Sequence, residues 1–288
     1  MITVKQFLRE QVIFLTVAFV SFSTQPAILT AQEINPLPFT EPLSVSRGSV
    51  TPTLNDAVFL TQKDMCTVFV EDWGWSDCGD MDAFIWGQFP DVDTTLISRP
   101  DTSGYVRFGD WDGSERDDVI QEIEDSLRVG LANQAKQLGY DIKFAGWSVY
   151  PTLNREKQFM YYATNSVWDG EDTINITASV FDRRGFVKFM IVPMATTITS
   201  AEAEEMIVRV LDQYQPAQGE SYAAFTTGDK VAAVGAVGVL AGLAGLQYGK
   251  GALSGLIAAA LLILKKAWFL LLLPFFWLKN LFSRRKGD

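Results

Sequence analysis

The sequence predicts an α+β domain, an antiparallel sheet covered by two main helices, with a signal peptide before it and an apolar transmembrane anchor after it. Three observations lead there. Strand-like runs joined by short turns fill the middle of the chain. Two longer stretches there have helical spacing with their own start and stop signals. The longest apolar runs lie at the two ends.

At the N-terminus, Lys5 and Arg9 precede the apolar residues 12–22, 11 in all. That is shorter than the ~20 helical residues a bilayer needs, so a cleavable signal peptide fits, with removal after Ala31. The alternative is an uncleaved N-terminal anchor. Pro36, Pro38 and Pro42 then read as an extended leader.

The first half of the domain has short strand-like runs at 56–60, 83–88 and 94–98, and a short helix at 63–70. The clearest helix is 117–138. Ser114 and Asp117 resemble a capping box, with Asp where Glu is usual. Ile120, Ile123, Leu127, Leu131, Ala135 and Leu138 form its apolar stripe, and Gly139 is the expected stop. Strands follow at 141–150, 157–164, 173–181 and 186–192. In the third, Ile174, Ile176, Ala178 and Val180 alternate toward a core. Asp182-Arg-Arg-Gly185 is the hairpin turn to the fourth. Thr199 and Glu202 make a second capping box, opening a helix with Met206, Ile207, Val210, Leu211 and Tyr214 inward and Pro216 beyond its end. Short turns between neighbouring strands imply antiparallel pairing.

The C-terminal region is apolar from Val231. Gly235, Gly238, Gly242, Gly245 and Gly249 recur at spacings of 3, 4, 3 and 4, on one helical face. In lipid such a stripe lets a second helix approach closely, in a homo-oligomer or a membrane-protein partner. The competing reading is that glycine is simply frequent in membrane helices. Residues 231–264 number 34, roughly 51 Å of helix against a ~30 Å hydrocarbon core. One crossing of the lipid bilayer puts Lys265, Lys266, Lys279, Arg284, Arg285 and Lys286 inside, as the positive-inside rule asks. Residues 267–278 then lie along the inner interface through Trp268 and Trp277. A hairpin through 251–278 is the alternative and leaves that tail outside. The expected division is therefore 1–31 signal peptide, 32–227 exported acidic domain, 228–264 anchor region and 265–288 interfacial segment with basic tail.

Charge narrows the partners. Residues 32–227 hold 14 Lys/Arg against 31 Asp/Glu, a net of −17, which argues against nucleic acid. The chain has no histidine. Ser-His-Asp and Cys-His nucleophiles and the common histidine-bearing zinc sites are excluded.

Several short segments, taken in order, resemble a known family. They are Gly104-Tyr-Val106, the acidic stretch 110–118, Gly139-Tyr140, Gly146-Trp147, Pro151, Tyr161-Tyr-Ala163 and Arg183-Arg-Gly185, then Tyr222-Ala-Ala-Phe225 and Asp229-Lys-Val-Ala-Ala233. From about Ser46 to the C-terminus the chain is similar to the bacterial "predicted membrane-anchored protein" family, the domain of unknown function numbered 2167. The resemblance implies a Gram-negative envelope protein with an exported domain and a C-terminal anchor; with the single crossing favoured by the basic tail, it is expected in the inner membrane with its main domain in the periplasm and its C-terminus cytoplasmic. It brings no catalytic residues, no cofactor and no metal. Cys66, Cys78 and Trp73-Gly-Trp75 stand outside the pattern, so any role of theirs is specific to this chain.

Cys66 and Cys78, 12 apart in an exported region, read as a structural disulfide. Their spacing is not that of a redox Cys-x-x-Cys pair. Asp110, Asp112, Glu115, Asp117 and Asp118 could bind calcium, but Gly113 stands at the fourth position where an EF-hand loop needs glycine at the sixth. Stabilisation by a helix N-terminus is the simpler account. Trp73, Trp75, Trp86, Trp111 and Trp168 could stack on sugars, although buried core is the commoner fate of tryptophan. The leading functional expectation is a non-enzymatic envelope module that binds or supports another membrane or periplasmic component. The second is a carboxylate-dependent hydrolase or small-ligand binder acting on envelope material.

Overall fold

Alternation of apolar and polar residues builds one large sheet. The computed structural model describes residues 34–72, 78 and 80–244. Its eight-stranded antiparallel sheet contains β1 (Leu37–Pro38), β4 (Val58–Phe59), β5 (Met81–Phe89), β6 (Val92–Ser98), β7 (Ile142–Asn154), β8 (Phe159–Trp168), β9 (Glu171–Phe181) and β10 (Phe186–Pro193). The spatial order is β1-β4-β5-β6-β10-β9-β8-β7. A second sheet, β11 (Tyr214–Pro216), β3 (Gly48–Val50) and β2 (Leu43–Val45), is also antiparallel. Among the described residues, four α-helices complete the fold: α1 (Gln62–Thr67), α2 (Glu115–Leu138), α3 (Ser200–Leu211) and α4 (Ala236–Leu243). The class is α+β.

The two faces of the large sheet are covered differently. On one face Ile85, Ile97, Tyr161, Ile176, Ala178, Val187 and Phe189 meet Ala203, Met206, Ile207 and Val210 of α3, with Val50 and Tyr214 of the small sheet. On the other face there are two separate patches. Met160, Tyr162 and Phe181 lie under Ile120 and Ile123 of α2 and Val237, Leu240 and Ala241 of α4. Phe84 and Leu96 lie under Met65, Val68 and Phe69. Between these patches β6 and β10 run with a thinner cover, and the cleft described below is there.

The second half of the domain follows its sequence signals closely. Thr199 accepts from the Glu202 amide and the Glu202 carboxylate accepts from the Thr199 amide, a complete capping box on α3. Gly139 takes a left-handed conformation (φ 77°) and its N–H bonds Ala135, ending α2. At the other end of α2 the expectation fails: the Ser114 side chain makes no cap hydrogen bond, and the helix starts at Glu115. Ser114 has helical torsions (φ −65°, ψ −21°) rather than the extended ones that aim a capping hydroxyl. In the first half, the helix at 63–70 divides into α1 and a π-helical turn, Val68–Asp72. A disulfide joins Cys66 of α1 to Cys78, with Cα atoms 4.6 Å apart.

The packed body also continues past Thr227. Ala236 to Ala241 are buried against α2 and the sheet. The first part of the apolar C-terminal run thus belongs to the domain's core, and the domain reaches at least to Ala244. Gly235 is the N-cap of α4, Gly238 is buried in it and Gly242 lies near its end. No described helix is long and apolar enough to cross a membrane. The signal segment with Ala31, and Gly245 with the rest of the anchor and the tail, lie outside the described residues.

Candidate functional site

The segments that are widely spaced in sequence meet at the turn between β9 and β10. Phe181 pairs with Phe186, and the Asp182 N–H donates to the Gly185 carbonyl at 3.0 Å, so the four residues 182–185 form a tight hairpin. Each then reaches a different partner. The Arg47 guanidinium, 4% exposed, donates from Nη1 to both carboxylate oxygens of Asp182 at 2.6 Å, and Asp182 is 2% exposed. Arg47 Nη2 donates to the Asp101 carbonyl at 2.6 Å. Arg183 grips Asp229 through Nε and Nη2, both at 2.7 Å. Arg184 makes the same fork with Glu220, at 2.8 and 2.7 Å. Gly185 lies so close to Asp101 that a Cβ there would be 2.4 Å from its carbonyl oxygen.

These forks set charge states as well as positions. The Arg183 guanidinium and the Thr226 backbone N–H hold the Asp229 carboxyl well below the usual carboxylate range, and Asp229 in turn raises Arg183. Burial is the main reason the Tyr214 and Tyr222 hydroxyls are pushed above theirs. Tyr214 donates to the Arg47 carbonyl at 3.1 Å, and Tyr222 to the Val106 carbonyl at 2.7 Å.

The clasp fixes the strap that leads into α4. Tyr105 stacks between Tyr222 and Phe225, with ring centroids 4.3 and 4.1 Å away. Its N–H donates to the Lys230 carbonyl, and its own carbonyl accepts from Ala232. Gly104 is needed there: a Cβ would stand 2.8 Å from the Ala232 nitrogen, and its φ is +116°. The acidic stretch finishes the task. An Asp110 oxygen accepts from the Val237 N–H at 3.2 Å and the Arg107 carbonyl accepts from the Ala236 N–H at 3.1 Å, which together cap the start of α4. Gly235 leaves room for it, since a Cβ would fall 2.3 Å from Asp110. Asp112 pairs with Arg155 and Asp117 with Arg116. These carboxylates are engaged by the fold, one by one. Among the tryptophans, Trp111 and Trp86 pack into apolar clusters and Trp168 donates to Ser166, while Trp73 and Trp75 lie outside the described residues.

Beside the clasp is a cleft of about 550 Å³. Ser98 and Lys188 form its floor on adjacent strands, residues Arg99–Ser103 one wall, and Val234, Gly238, Val239, Gly242 and Leu243 the other. Burial alone pushes the Lys188 ammonium below its ordinary value. It has no ion-pair partner among the described residues. Arg99, by contrast, faces Asp80 and Asp82 at 3.6 and 3.8 Å.

Sequence reasoning passed over Arg47, Asp229 and Lys188. Nothing local announces the first two, whose partners are 135 and 46 residues away. Lys188 did leave a signal: it is the one charge inside the apolar strand 186–192.

No curated protein and no solved structure matches the chain. A family model does, that of the protein of unknown function DUF2167, over residues 43–276. The matched span covers the clasp, the strap and the cleft together, and the chain belongs to that family.

Proposed function

We propose that this chain is a non-enzymatic module of the bacterial envelope, held at the inner membrane by its C-terminal apolar segment, with the described domain in the periplasm. Its task is to bind or support another membrane or periplasmic component. The observation that carries this reading is the clasp. Arg47 with Asp182, Arg183 with Asp229 and Arg184 with Glu220 spend their charge on one another, and the result is a rigid hold on the strap 217–235. That strap leads into the apolar run and then the basic tail, the arrangement expected of a domain fixed to a bilayer on its inner-facing end. A hydrolase that works through a carboxylate pair needs both groups free to exchange protons, and pairing with arginine works against that.

The test is fractionation with topology reporters. The full chain should resist alkaline extraction from bacterial membranes and dissolve only in detergent. Alkaline phosphatase inserted at the exposed turn at Gly170 should be active, and the same reporter fused after Asp288 should be silent. Recovery in the soluble fraction, or an active reporter after Asp288, would overturn the single-pass arrangement.

A further inference from the structure

We infer that the cleft over Lys188 is a binding site for a long-chain carboxylate, with its head on the Lys188 ammonium and its chain along α4. This goes beyond the module reading and does not depend on where the protein resides.

The floor supplies the head group's needs. Phe186, Lys188 and Met190 point to one face of β10, because Val187, Phe189 and Ile191 fill the core on the other. Lys188 pairs across the strand with Ser179, and the Ser98 hydroxyl donates to the Lys188 carbonyl at 3.2 Å. The Ser179 side-chain oxygen is fully buried, 0% exposed, and has no hydrogen-bond partner. The Ser103 hydroxyl oxygen, on the wall, is buried without one as well. Buried polar atoms are ordinarily paired, and a cation drawn into such a place costs stability unless an anion meets it. An ammonium paired across the strand with the unpartnered Ser179, in a cleft whose wall holds the unpartnered Ser103 hydroxyl, is suited to an oxyanion.

The walls select which oxyanion. Arg99 is committed to Asp80 and Asp82, and the Asp101 carboxylate accepts from the Ser103 N–H. With Arg99 set against Asp80, the lining keeps one cation, Lys188, beside the Asp101 carboxylate, which suits a monoanion and disfavours a phosphomonoester dianion. The α4 wall is apolar through Val234, Val239 and Leu243, and Gly238 and Gly242 leave it hollow. A chain of methylenes gains by lying there. The volume falls in the ~300–1,000 Å³ range of small-molecule sites.

The experiment uses the full chain in zwitterionic phosphatidylcholine nanodiscs, with diazirine-bearing palmitate as probe and the matching hexadecanol as neutral control. Palmitate should label saturably, and the labelled peptides should include residues 98–103 or 234–243. Lys188→Met should weaken capture roughly tenfold or more, the loss of one charged contact. Gly242→Leu should abolish it by filling the hollow. A Cβ at Gly242 meets nothing within 4 Å, and Lys188 gives up no ion pair, so both variants should fold, which thermal unfolding checks. Equal capture of hexadecanol, labelling unchanged by both variants, or labels confined to 245–288 would overturn the site. Competition by lysophosphatidate as strong as by palmitate would overturn the carboxylate assignment. Failure of any of these leaves the fractionation result untouched, so the two readings fall separately.

Discussion

Arg47 and Lys188 are both cations set against the β9–β10 hairpin, and their surroundings are opposite. Arg47 is nearly sealed, yet its donors reach a carboxylate and a carbonyl. Lys188 is less deeply placed, yet its charge has no counterpart among the described residues and its neighbours Ser179 and Ser103 have idle oxygens. A fully satisfied buried pair contributes to architecture, because removing either half strands the other. An unsatisfied group costs stability and persists where something other than the fold uses it. The same hairpin thus carries a structural knot at its turn and, three residues along one strand, a cation with no ion-pair partner among the described residues. Substitutions on the two sides should have opposite signs.

The largest effect is expected at the knot. Asp182→Ala leaves a buried guanidinium without its carboxylate, which costs about 3–5 kcal/mol. Urea unfolding should show most of the domain's stability gone. Pairing Arg47→Met with Asp182→Leu should recover part of the loss. It should not recover all, because Arg47 also serves the Asp101 carbonyl and Asp182 also accepts from the Arg184 N–H at 2.7 Å. Full loss in the double variant would mean those backbone contacts matter more than the charge pair.

Gly185→Ala comes next. Its new methyl would collide with the Asp101 carbonyl, which is backbone and cannot swing aside. Overpacking of this kind costs about 1–3 kcal/mol. The same change at Gly170, where a Cβ meets nothing within 4 Å, has no collision to relieve, although its φ of +95° still carries backbone strain. Comparing the two separates crowding from strain.

How much of this was legible beforehand differs by region. Residues 141–211 write their structure locally. Thr173 to Phe181 alternate with period two, Thr199 and Glu202 sit three apart, and Gly139 stands where a helix must stop. Each signal is satisfied by neighbours within a few residues. The small sheet was not foreseen, since β2, β3 and β11 are three residues each and β11 joins β3 across more than 160 positions. The start of the apolar C-terminal run was assigned to the anchor region for a related reason. An apolar run reads alike whether it meets lipid or a protein core, and here the burial of Ala236 to Ala241 and the Asp110 contact to Val237 tie it to the domain. Of the clasp, the hairpin Asp182–Gly185 was legible as a turn and not as a hub. A fork between Arg183 and Asp229 leaves no periodic trace.

Acid should loosen the clasp before it touches the cleft. Asp229 has a folded-state pKa depressed chiefly by Arg183, so the unfolded chain takes up its proton first. Its contribution is fully present above the ordinary carboxylate value of about 4 and is lost as pH falls below it. Melting temperatures of wild type and Asp229→Asn should therefore differ at neutral pH and converge toward about pH 2. A gap that persists in acid would mean that Asn fails through lost geometry and not lost charge.

The smallest effect, and the one that tests the contrast most directly, is at Lys188. Its folded-state pKa is depressed by burial, so between that value and its ordinary 10.5 the unfolded chain holds more protons than the folded one. Stability attributable to Lys188 therefore rises with pH through that interval, and its penalty is fully present below the folded-state value. Lys188→Met keeps an unbranched side chain, one heavy atom shorter, and removes the charge that must be desolvated. Melting at pH 7 should be unchanged or higher by a few degrees, the reverse of every substitution in the clasp. The difference from wild type should then shrink as pH rises. It must be read below about pH 10, because buried tyrosines such as Tyr161, whose pKa burial and Glu204 push up to about 12, begin to cost stability above the ordinary tyrosine value. If the Met variant is instead clearly less stable at pH 7, Lys188 is held by the fold as Arg47 is. The cleft would then be one more structural site.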